Sequence, residues 1–155
     1  MNTSEWFIYQ LKASGEGFVW AVEQVPVERQ TSSPPKGFGE WSVARHIFHM
    51  LYYERELALP HMRHWLGSPQ PPFDAYKEDE AWEKGAHSAS IDHLLQEFQQ
   101  TRAAQIALLP DFDEALWNEV RVSAWGEKSI RWIVSKTFQH TADHTNTVLC
   151  MALFW

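Results

Sequence analysis

Apolar residues recur at helical spacing through four long segments of this chain, which points to packed helices as its framework. Between about residues 4 and 25, Phe7, Leu11, Phe18, Val22 and Val25 share one face, with Gly15 in the same stripe. Gly15 and Gly17 lower helix propensity there, so a kink or a close helix contact is expected. From Ser42, a good N-cap, to about His64, the inner side carries Ala44, Phe48, Leu51, Tyr52, Arg55 and Leu59, with a break expected near Pro60. From about 90 to 109, Ile91, Leu94, Leu95 and Phe98 point inward, and Pro110 ends the run. From near Ser129 to the last residue, the stripe is Ile130, Val134, Thr137, Thr141, Val148 and Ala152. Four amphipathic helices joined by unequal connections give an all-α fold, a four-helix bundle with a long crossover. The connections include loops at 31–39 and 67–72 and an acidic stretch around Glu78-Asp79-Glu80. Val120-Arg121-Val122 alternates ahead of Trp125-Gly126-Glu127, which predicts a short extended hairpin before the last helix.

The chain's 155 residues suit one domain, spanning 1–155 and large enough to bury a core without covalent staples. The formal charge is −7 and no block of Lys or Arg offsets it, which argues against nucleic acid as the main partner. One cysteine, Cys150, excludes an intrachain disulfide and a Cys-rich metal site, and is expected as a small buried hydrophobe. The opening Met-Asn-Thr-Ser-Glu-Trp lacks the pattern of a signal peptide. The apolar end, Val148 to Trp155, is too short to span a bilayer. A soluble cytoplasmic protein with no membrane partner is the expectation.

Three of the eight histidines are the candidates for chemistry. His140 and His144 are four apart, which stacks their imidazoles on one helix face. On the helical wheel they fall about 80° and about 40° from the centre of the apolar stripe, at the rim of the core. His49 also falls at the rim of its helix, whereas His46 lands about 60° further out, towards solvent. A third imidazole beside the pair would complete a three-ligand, open metal site. Neutral imidazoles suit zinc or nickel, with iron also allowed. A pair at this spacing also arises by chance, so the spacing alone leaves a core-edge role open. His61 and His64, three apart, read as a solvated helix end beside Gly67, and His87 and His93 as incidental.

Trp41-Ser42 followed by His49, and later His140-Thr-Ala-Asp-His144, resemble the two signatures of the DinB/YfiT-like superfamily. The order, the separation and the bundle frame agree with it over nearly the whole chain. The resemblance implies a metal triad of His49, His140 and His144, a homodimer, and a metal-dependent enzyme. Some members of the family are thiol-S-transferases or a thiol-dependent isomerase. It also implies no binding of nucleic acid. One departure is Thr145-Asn146-Thr147, where many relatives carry an Arg-Gly-Gln or similar run after the last histidine.

A divalent cation on such a triad would activate a water for hydrolysis or a low-molecular-weight thiol for S-transfer. Glu56, seven residues beyond His49 on the same side, is the candidate general base or orienting carboxylate. Arg45 and Tyr53 are placed for substrate contact, and Asp143 for solvent. A dimeric metal-binding stress or interaction protein without turnover is the alternative.

Overall fold

The computed structural model describes every residue except Ala75. Helix α1 spans Thr3–Gln24 and opens on a reciprocal cap, in which Asn2 accepts from Glu5 N–H and Glu5 accepts from Asn2 N–H. Helix α2 (Val43–Tyr53) starts on Ser42, whose hydroxyl accepts from Arg45 N–H. The bundle's other long helices are α5 (Ile91–Leu108), capped by Ser90, and α7 (Ile130–Phe154), capped by Ser129. Helix α1 lies against α7 and α5, and α2 lies against α5 and α7. The bundle is the expected one. The connection from residue 66 to 90 crosses over the outside and carries a short helix, α4 (Glu78–Glu83). Before α7 come another short helix, α6 (Glu114–Asn118), and an antiparallel hairpin, β1 (Val120–Ser123) and β2 (Gly126–Ser129). The register pairs Val120 with Ser129 and Ser123 with Gly126, whose φ of 80° only glycine adopts freely.

No break occurs at Pro60. The helix passes instead through a π turn, Glu54–Ala58, into α3 (Leu59–Trp65), and Leu59 N–H bonds Glu54 O five residues back. Proline lacks an N–H and its ring crowds the carbonyl four residues earlier, so a wider turn ahead of it relieves both demands. The turn also changes which residues face inward. Arg55, expected inside, is about two-fifths exposed and pairs with Glu56 and Glu97, while Glu54 is fully buried.

Two apolar clusters fill the bundle. One gathers Phe18, Val22, Val43, Ile47, Leu51, Phe98, Val148 and Met151. The other gathers Phe7, Leu11, Met62, Trp65, Trp117, Ile130 and Val134. A buried polar group lies between them along the helices. The Arg102 guanidinium grips both oxygens of Glu54, donates to Leu11 O at 2.8 Å and to Thr141 Oγ1 at 2.7 Å, and Gln105 donates to Glu54 at 2.7 Å. Gly15 makes room for it, because a Cβ there would sit 3.2 Å from Arg102 Nη1. Of the two possibilities at this glycine, the close contact is the one found, in an uninterrupted helix.

Candidate metal centre

Helix α2 is enclosed nearly all round, and ten of its eleven residues are buried. His49 is the exception, and its partly open edge faces α7. There it meets His140 and His144, one turn apart on α7 and likewise half-buried. One ring nitrogen from each of the three lies within 4.8 Å of the others. His140 Nε2 stands 2.9 Å from His49 Nε2 and 3.1 Å from His144 Nε2. Tetrahedral zinc, with Zn–N of about 2.0–2.1 Å, would separate its ligand nitrogens by about 3.3 Å. These two separations are thus within a few tenths of an ångström of the spacing a small divalent cation requires.

The surroundings prepare these nitrogens for that task. Burial, reinforced by the neighbouring imidazoles, lowers the pKa of His140 to about 3 and of His144 to about 4. Both rings are neutral near pH 7 and offer lone pairs. His49 donates its Nδ1 proton to Glu78 Oε2 at 2.7 Å, so a neutral His49 ring keeps its lone pair on Nε2. Glu78 is fixed in turn by the Tyr76 hydroxyl, which donates to the same oxygen, and by Arg45, 2.8 Å from Oε1. Burial alone would raise the Glu78 pKa, but the hydrogen bonds from His49 and Tyr76 and the charge of Arg45 outweigh it and hold the carboxyl ionised. The Trp41 ring lies nearly parallel to His144, with centroids 6.3 Å apart, and covers one side of the cluster. A cleft of about 410 Å³ opens beside it, lined by Trp41, Arg45, His49, Tyr76, Lys77 and Glu78. A groove of similar size between α1 and α5, about 430 Å³, is mostly apolar and carries no such convergence.

The structure brings together the three histidines that spacing, the helical wheel and the family resemblance pointed to, and redistributes the residues around them. Glu56 does not stand behind His49: it is exposed and pairs with Arg55 at 2.9 Å, because the π turn carries it outward. Glu78, from the crossover, occupies that position. Arg45 is buried, ion-paired to Glu78 and Asp79, and its guanidinium lies over the Trp41 and Trp82 rings, so it fastens α4 to α2. Tyr53 is buried against His140, with ring centroids 4.5 Å apart, and burial pushes its pKa up. His46 is 7% exposed and does not face solvent. A wheel assigns an outer face to every helix, and α2 has none. His61 is also buried, between Phe73 and Trp125, and does not chelate with His64, whose Nδ1 bonds Ser68 O. Asp143 is exposed, Cys150 is half-buried, and the Thr145 and Thr147 hydroxyls bond the backbone of their own helix. No signal within the sequence marked Glu78, since its partner lies 29 residues away across the crossover.

A bundle with three converging histidines at its rim fits a wider group of proteins. The chain belongs to the DinB superfamily, whose model matches residues 10–148. Among solved structures it is similar to YfiT from Bacillus subtilis, described as a probable metal-dependent hydrolase with an unusual four-helix bundle topology. The two share 17% identity at a TM-score of 0.79, over 100% of this chain and 91% of that one, a likeness of fold. No curated protein matches the chain. No helix among the described residues is long and apolar enough to cross a membrane.

Proposed function

We propose that the chain is a divalent-metal-dependent enzyme acting on a small molecule, with His49, His140 and His144 as the metal ligands. The convergence of their three Nε2 atoms carries the reading. With all three Nε2 atoms unprotonated this crowding would be repulsive, and a cation between them would turn the repulsion into binding. Zinc or nickel suits the all-imidazole set, and iron is compatible with it. Such a cation lowers the pKa of a bound water or thiol and polarises a substrate carbonyl. The chain's own residues bind and orient. Glu78 holds the His49 proton at Nδ1, Arg45 and Tyr76 hold Glu78, and Trp41 shields one side from water. The adjoining cleft has the volume of a small-molecule site. Hydrolysis is the favoured reaction, supported by the likeness to YfiT, and S-transfer from a small thiol uses the same ligand set.

The expected assembly is a homodimer in the cytoplasm. Trp6, Tyr9 and Trp20 on α1 and Leu153 and Phe154 at the end of α7 remain exposed, and a subunit contact would cover such residues. A net charge of −7 favours a small-molecule substrate over nucleic acid. Metal analysis after reconstitution should find one equivalent per chain, and His49→Ala should lose most of it while staying folded. Less than about a tenth of an equivalent in the wild-type protein would sink the proposal. Turnover of ester, amide or thiol-plus-electrophile panels by the loaded protein, absent in His49→Ala, is the expected activity. Full loading without turnover would instead favour a metal-binding protein with no reaction.

A further inference from the structure

A fourth imidazole stands against the triad. His46 is buried, packs edge-on against Trp41 with centroids 5.4 Å apart, and places its Nδ1 2.8 Å from His144 Nδ1. Two neutral rings in this contact share one proton, and it can sit on either nitrogen. If His46 donates, His144 accepts at Nδ1 and must carry its own proton on Nε2, the atom that faces His140 in the triad. If His144 donates, its Nε2 lone pair is free. Only the second arrangement lets His144 bind a cation through Nε2.

We propose that His46 is a positioning residue: it accepts the Nδ1 proton of His144 and so presents His144 Nε2 as a ligand. The inference rests on the metal reading above and deepens it. Glu78 does the same for His49, whereas His140 Nδ1 is buried without a partner among the described residues. The two supported ligands therefore have different supports. The carboxylate brings a negative charge towards the cation, and the imidazole brings none. One charged support and one neutral one leave more of the cation's charge unbalanced than two carboxylates would.

The test compares wild-type protein with His46→Phe, which fills similar space but accepts no proton, and His46→Gln, whose amide oxygen accepts one. Long-range ¹⁵N–¹H NMR of the metal-free proteins reads the His144 tautomer, and competition with a chromophoric chelator reads zinc affinity. The expected results are an Nδ1–H tautomer in wild-type protein, its loss in His46→Phe, and a ten- to hundredfold loss of zinc affinity in that variant. His46→Gln should recover much of both. An Nε2–H tautomer in the wild-type protein overturns the proposal, as does zinc binding by His46→Phe within about twofold of wild type. If His46→Phe does not fold, the wild-type tautomer and His46→Gln still decide. If wild-type protein binds no zinc, the metal reading fails on its own, and the His144 tautomer still decides whether His46 accepts its proton.

Discussion

His61 holds its proton on Nδ1, because Leu57 O accepts there at 2.7 Å while Nε2 accepts from Ala124 N–H at 3.1 Å. Both nitrogens are committed, so the ring ties the hairpin to α3 only while neutral. Burial lowers its pKa below the ordinary 6.5. A group neutral in the folded state and depressed in pKa contributes fully above pH 6.5, and that contribution fades as pH falls towards the folded value. Protonation would also turn Nε2 from acceptor to donor and set it against the Ala124 N–H. Folding stability should therefore fall on acidification below about pH 6.5, and the slope should be shallower in His61→Gln. Denaturant midpoints at about pH 7.5 and about pH 5.5 measure this, and identical slopes in the two proteins would rule His61 out as the cause.

Within the elements, the two glycines of α1 make a paired comparison. Each costs helix stability of about 0.5–1 kcal/mol relative to alanine. A Cβ at Gly17 meets no described atom within 4 Å, so Gly17→Ala should stabilise the protein by up to about 1 kcal/mol. At Gly15 the new methyl would press on an Arg102 guanidinium held by Glu54, Leu11 and Thr141, which has little freedom to give way. Gly15→Ala should gain nothing or destabilise, and thermal melts of the two variants should separate accordingly. Stripe periodicity made the long helices legible to within a residue or two, and alternation revealed the hairpin. Six residues of α4, three of them acidic in its first turn, offer too little periodicity to announce a helix. The same limit hid Glu78, since its role exists only once the crossover has folded back onto α2. His49, His140 and His144 were legible because two of them share one helix face and the third closes the signature that Trp41 opens. His46 was not, because one wheel cannot show how many neighbours surround a helix.

Across the whole molecule, the histidines draw on α2 and α7, and Glu78 adds α4. A cation bound there would join side chains as far apart along the chain as His49 and His140, 91 residues, and it would bind the folded state alone. Zinc in about hundredfold excess over its dissociation constant should stabilise the protein by about 2.7 kcal/mol, and a chelator should lower the melting temperature. A melting temperature unmoved by either would count against the site. The second link between these helices is the Glu54–Arg102 layer, which reaches α7 at Thr141, directly after His140 and three residues before His144. Apolar faces tolerate sliding, but a one-turn slip of α5, about 5.4 Å, would strand a buried charge. The height of the histidines along the bundle is thus gauged by a carboxylate and a guanidinium, an index mark that no greasy surface could provide.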